Sequence, residues 1–408
     1  MKRYQWMGIM LSLVLLLCSC GTDKEVEKKA GESTSTPSAT ASVTPLISED
    51  EAFSEAEKIV KTMTIEQKVG QMFLVDLLQL DASPSVDGTA YKATDSMKQA
   101  IIDYHLGGVY LTKENIKSQK QTKKLVQNLQ ASVVSGSALY VAVEEDGGGE
   151  NSISAKVEDL KDTGYVTPKE MGQNMTANQI YESGKTIAGE LTKIGINLNL
   201  APVADLASDQ NPSYAMRCLG SDADGVADLL DDFVSGMREG GLSVTLKTFP
   251  GIGNVSADVT ESIAENTDSL MTIRDTNFVP YASGIQAGAD CVMVSNAAYS
   301  KLTVKKVPAF MSQDIVTKLL REELGFDGIV MTSPLNDNVI ENNYTNEFAV
   351  VEAVKAGCDL IVLPGNFKEC YEALITAVKE GRIDEKVINT SVRRILQNKI
   401  QRGILVLE

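Results

Sequence analysis

Residues 246–261 read LKTFPGIGNVSADVTE. They close a short apolar run, Ser243–Lys247, break it with Pro250 and two glycines, and lead towards a long helical pattern. A strand that ends in a turn-rich polar loop and then a helix is one βα unit. The segment decides the fold because the same sequence of events recurs along the chain.

Short apolar runs rich in β-branched residues stand at Gln71–Asp76, Gly107–Thr112, Ala138–Glu144, Ile196–Val203, Ser243–Lys247, Cys291–Ser295, Gly328–Thr332 and Asp359–Leu363. Between them the spacing predicts helices at Asp95–Tyr104, Ser118–Val134, Ala177–Ile194, Gly225–Glu239, Asn277–Ala287, Ser312–Leu324 and Glu347–Ala356, with two more at Phe367–Lys379 and Asp384–Gln401. Strands without in-out alternation are buried on both faces, as in a parallel sheet covered by helices. Eight of them predict an α/β chain folded as a (β/α)8 TIM barrel, in which polar residues at the carboxyl ends of the strands carry the chemistry. An open doubly wound sheet is the alternative, and no Gly-rich dinucleotide fingerprint supports it.

The 408 residues carry a net charge of −17, which disfavours nucleic acid and anionic membrane surfaces as partners. Lys2 and Arg3 precede an apolar run, Met7–Leu17, that is short for a bilayer span and reads as a secretory signal over residues 1–19. The run ends in Leu17-Cys18-Ser19-Cys20, which resembles a bacterial lipobox with Cys20 as the acylated N-terminus; a plain signal peptide is the alternative. The expected location is extracytoplasmic, with the membrane reached through the lipid alone. Residues 20–50 are rich in Ser, Thr, Pro, Ala, Lys and Glu and read as a disordered tether, leaving 51–408 as the barrel domain. Cys218, Cys291, Cys358 and Cys370 lack CxxC spacing and sit in or beside apolar runs, so they read as buried small hydrophobes rather than zinc ligands or disulfides.

Several ordered motifs carry a resemblance. They are Val69-Gly70-Gln71-Met72, Gly107-Gly108-Val109, Asn197-Leu198-Asn199-Leu200-Ala201-Pro202-Val203, Arg217 before Gly220, Lys247-Thr248-Phe249-Pro250-Gly251-Ile252-Gly253, the stretch Leu320–Gly328, and Ala356-Gly357-Cys358-Asp359. Together they resemble glycoside hydrolase family 3, most closely its single-barrel β-N-acetylglucosaminidases. The resemblance implies a β-linked amino-sugar glycan or peptidoglycan fragment as partner, no cofactor or metal, and retaining hydrolysis by an Asp nucleophile with a separate acid.

The positions that should carry this chemistry are changed. A family pattern like FDGxxxSD places the nucleophile at Ser333, whose hydroxyl is not an anion at neutral pH. The acid, a His two residues after an orienting Asp, falls at Thr260, while the orienting Asp258 is kept. The histidines of a KHFPGHG-like motif are Thr248 and Ile252, and the chain's single His is His105, placed for a structural role. After the third strand, Glu144-Glu145-Asp146-Gly147-Gly148-Gly149 stands where the family has a DxEGGR-like run, so Glu144 replaces a hydroxyl-binding Asp and Gly149 an Arg. Arg217 and Lys247 remain as cations the family uses on sugar hydroxyls; a buried ion pair with Asp205 or Glu144 is the other reading.

Three functions stay open from these residues. One is a catalytically impaired glycan-binding member of the family. The second is an active β-N-acetylhexosaminidase or other β-glycosidase with relocated carboxylates, Asp258 or Glu261 as acid and Asp337, Glu144 or Asp146 as nucleophile or charge stabiliser. The third is a protein-interaction scaffold, with phosphate chemistry at Leu363-Pro364-Gly365-Asn366 an outsider.

Overall fold

The computed structural model describes residues 47–81, 89–133, 138–147, 166–255 and 257–407. The signal peptide, Cys20, the tether up to residue 46, Gly148 and Gly149 lie outside the described residues.

Eight parallel strands form one sheet: β1 Phe73–Asp76, β2 Gly108–Tyr110, β3 Tyr140–Val143, β4 Leu198–Asn199, β5 Ser243–Phe249, β6 Cys291–Val294, β7 Ile329–Thr332 and β8 Ile361–Val362. Their order follows the chain from β1 to β7, and β8 pairs with β1 through Phe73↔Ile361 and Leu74↔Val362. A parallel bridge between Met331 and Leu360 joins β7 to β8 and closes the circuit. The sheet is therefore a (β/α)8 barrel, as expected. Each strand coincides with a predicted apolar run, and the helices between them are found within a few residues of their expected bounds.

Two boundaries differ for physical reasons. The fourth run pairs only at Leu198–Asn199, because Pro202 has no N–H to give the ladder and Val203 meets Lys247 in a single bridge. The helix at Asp314–Glu323 is a π-helix in which Leu324 N–H reaches Leu319 C=O, five residues back.

The last helix, Glu385–Gln401, plugs the amino-terminal end of the barrel. Lys399 is fully buried, donates to Gln71 Oε1 at 2.9 Å and Gly107 O at 2.8 Å, and lies 4.8 Å from the Tyr140 ring. Burial pulls its ammonium down to about 7. His105 sits at this end too, with φ 50°, and its carbonyl accepts from Gln71 Nε2 at 2.7 Å. The four cysteines from Cys218 onward are all free and buried.

The Leu320–Gly328 and Ala356–Asp359 motifs meet here. Asp359, 0% exposed, accepts from Val330 N at 2.9 Å and Ser391 Oγ at 2.7 Å, and pairs with Arg321 and Arg394. It ties β7, β8 and the last helix together. Breaking a buried pair by removing one partner leaves uncompensated charge and costs about 3–5 kcal/mol. Asp359→Ala is expected to lose that much in urea unfolding, whereas an exposed pair such as Lys58–Glu55 changes stability by less than about 1 kcal/mol when broken.

Candidate active site at the carboxyl end of the barrel

The loop after β5 is built around Asp205, which is 0% exposed. Its carboxylate accepts from Thr248 N at 3.1 Å, Thr248 Oγ1 at 2.9 Å, Ile252 N at 3.1 Å, Tyr214 OH at 2.8 Å and Tyr281 OH at 2.9 Å. Gly251 has φ 116°, and a Cβ there would come within 1.8 Å of Asn277 Nδ2; one on Gly253 would come within 1.7 Å of Leu206 O. The turn needs both glycines. Thr248 thus faces Asp205 and, at 3.1 Å, Tyr214 OH.

Lys247, one residue earlier, is 3% exposed. Its Nζ lies 2.6 Å from Glu144 Oε1 and 2.8 Å from Asp146 Oδ1, both just beyond β3. Arg217 completes the group, with Nε on Asp146 Oδ2 at 2.7 Å, a further contact to Glu144, and its guanidinium 5.5 Å over the Tyr214 ring. The two cations therefore pair with Glu144 and Asp146, and not with Asp205. Burial works to raise the Glu144 carboxyl, but Lys247 and then Arg217 outweigh it and hold it at about 2. Tyr110 OH, at the end of β2, also reaches Glu144 Oε2 at 3.4 Å.

Ser333 is buried at the end of β7, and its Oγ donates to Val294 O on β6 at 3.0 Å. The hydroxyl is spent on the barrel backbone. Thr260 donates from N (2.9 Å) and Oγ1 (2.7 Å) to Asp258 Oδ1, so Asp258 closes its own turn at the surface. The turn is held over the end of β7 by Val339 N donating to Thr260 O at 2.7 Å and Asn338 Nδ2 donating to Glu261 Oε2 at 2.9 Å.

Asp337 lies beneath this turn and accepts from Asn296 Nδ2 at 2.8 Å. Burial first, then the like charges of Glu144, Asp258 and Glu261, push its carboxyl up to about 7, offset in part by the Asn296 bond. Asn296 had no assigned role in the sequence beyond its place after the sixth apolar run, and that place is what could have flagged it. Asp205, Tyr214 and Tyr281 form the support the sequence did not reveal.

A closed parallel barrel with its charged and titratable groups gathered at the carboxyl ends of the strands has the layout of a (β/α)8 enzyme barrel. Residues 64–398 match the family described as "Glycosyl hydrolase family 3 N terminal domain", and the chain belongs to that family. It is 26% identical over 369 residues to β-hexosaminidase A of Pseudoalteromonas piscicida, covering 83% of this chain and 61% of that protein. It is 29% identical over 266 residues to β-hexosaminidase of Xylella fastidiosa, covering 64% of this chain and 77% of that one. Among solved structures, the family 3 β-N-acetylglucosaminidase of Paenibacillus sp. superposes with a TM-score of 0.75 at 29% identity, over 85% of this chain and 64% of that one. The β-N-acetylhexosaminidase of Beutenbergia cavernae superposes with a TM-score of 0.71 at 28% identity, over 83% and 98%. The chain thus spans less than two thirds of some relatives and nearly all of another.

The raised Asp337 carboxyl has a sign that stability measurements can read. Unfolded, an Asp titrates near 3.9. The stabilisation is fully present below that value and is lost as pH rises through 7. Asp337→Asn cannot titrate, so a stability gap in favour of the variant is expected to open between about pH 4 and pH 7 and to reach about 2–4 kcal/mol by pH 8. Parallel denaturant titrations of both proteins at pH 4, 6 and 8 check it.

Proposed function

We propose that this protein is a catalytically impaired member of family 3 that binds a β-linked amino-sugar glycan or peptidoglycan fragment at the barrel mouth. The observation that carries the reading is the hydrogen bond from Ser333 Oγ to Val294 O. A retaining hydrolase needs a carboxylate at the anomeric carbon. The residue at that position carries no charge, and its one hydroxyl proton is held by the Val294 carbonyl, with no base bonded to it that would remove it. Thr260, at the acid position, is turned onto Asp258 and does not titrate near pH 7. A positioned general acid contributes about 10²–10⁴-fold, so losing it together with the nucleophile leaves little of the family route. The β-hexosaminidase and β-N-acetylglucosaminidase relatives support the amino-sugar class of ligand.

One observation favours a second reading. Asp337 holds a proton near neutrality in the same mouth, which is what a relocated acid requires. Incubation with aryl N-acetyl-β-glucosaminides separates the two. The expected outcome is no release of the aryl alcohol above background, with calorimetric binding of chitooligosaccharides or muropeptides; turnover that Asp337→Asn abolishes would establish the relocated-acid enzyme instead.

Attachment to the membrane through an acylated Cys20 belongs to the same proposal, supported by the Leu17–Cys20 sequence. No helix of the described residues is long and apolar enough to cross a membrane. Cys20→Ser is expected to move the protein from the detergent phase to the aqueous phase in a phase-partition experiment on expressing bacterial cells. Retention in the detergent phase would overturn the lipid anchor.

A further inference from the structure

Beside the Glu144–Asp146–Arg217–Lys247 group, the mouth carries a second polar pair with the opposite balance. Asn296 follows β6 and is 1% exposed. Its Nδ2 is used on Asp337 Oδ2 at 2.8 Å and, weakly, on Pro334 O at 3.5 Å, while its Oδ1 is buried and accepts no hydrogen bond. A buried acceptor without a donor is destabilising, so it marks a place where a donor belongs. The principal charges acting on Asp337 are all carboxylates: Glu144 after β3, and Asp258 and Glu261 in the loop after β5. Glu144 has two cations of its own, and among the described residues Glu261 is paired with no cation and accepts from the Asn338 amide.

The missing partner is a hydrogen-bond donor that carries positive charge. Among the described residues no three His, Cys, Asp or Glu side chains are grouped to hold a metal ion, so the carboxylates are too dispersed for a metal cage. A primary ammonium fits both demands, with one charge for Asp337 and three donors of which one serves Asn296 Oδ1. An N-acetyl group meets only one of them: its amide N–H can donate to an acceptor such as Asn296 Oδ1, but it is neutral and brings no charge to Asp337.

We infer that Asn296 and Asp337 form a subsite for the free ammonium of an amino sugar, so that the mouth takes N-deacetylated glycan in preference to the N-acetylated form. The inference rests on the glycan-binding reading above and names the chemistry of its ligand. Burial of Asp337 against carboxylates agrees with it, because an ammonium would displace the proton that those neighbours favour.

Calorimetry on the whole chain tests it, with glucosamine oligomers and N-acetylglucosamine oligomers of equal length at pH 5, 7 and 9. At pH 7 the glucosamine oligomer is expected to bind at least ten-fold more tightly. The advantage shrinks at pH 5, where Asp337 takes a proton, and at pH 9, where the sugar amine loses its own. Asp337→Asn and Asn296→Ala, each confirmed by an unaltered far-ultraviolet spectrum, are expected to remove most of the advantage. Equal affinity for the two oligomers, or an advantage that survives Asp337→Asn, overturns the subsite while leaving glycan binding intact. Failure of both oligomers to bind overturns glycan binding and the subsite together. If a variant does not fold, the native comparison and its pH dependence decide the matter.

Discussion

A lysine ammonium that is 3% exposed cannot stand in the mouth of an apolar barrel without compensation. Lys247 obtains it from two carboxylates on the next-but-one strand end, and two carboxylates facing one cation require a second, which Arg217 supplies. The quartet joins the ends of β3 and β5 to the segment Tyr214–Arg217, and so fixes the floor of the site from three directions. It also sets a condition on any ligand there. Hydroxyls must enter a network already balanced, replacing or sharing contacts of 2.6–2.8 Å. Such a site discriminates by geometry more than by net attraction.

The other half of the mouth differs in kind. Ser333 donates to the backbone of β6 and Thr260 to Asp258, so both hydroxyl protons are held by internal bonds. Asp337 and Asn296 are the groups left with unmet capacity. Glu144 and Asp146 are thus paired with cations, whereas Asp337 faces Asp258 and Glu261 with no cation paired to it among the described residues. That asymmetry arises from which carboxylates have cations within reach.

Much of the fold was legible because burial on both faces writes each strand as a continuous apolar run. Val141, Val292 and Val330 all lie in runs with no alternation. Strand ends were less legible where a side chain or a proline ends the ladder early, as at Pro202 and Asp359. Lys247, Arg217 and Glu144, each singled out in the sequence, are brought together. Their other partner was not legible. Asp146 rather than Asp205 meets the cations, since residue spacing does not tell which way a side chain points across a barrel mouth. The orphaned Asn296 oxygen is a property of packing alone, invisible in any string of letters.

Five hydrogen bonds on Asp205 set the shape of the loop after β5. Two of those bonds come from main-chain N–H groups, of Thr248 and Ile252, which any residue but proline would supply. Two more come from tyrosines outside the loop, and one from a hydroxyl that Thr248 provides. With Gly251 and Gly253 satisfying the steric demands of the turn, no imidazole is required to hold Lys247 in place. The support of the loop and the chemistry at its tip are thus carried by different atoms. The hydroxyls of Thr260 and Ser333, bonded to Asp258 and Val294 O, take no part in that support, so Lys247 is held independently of either side chain.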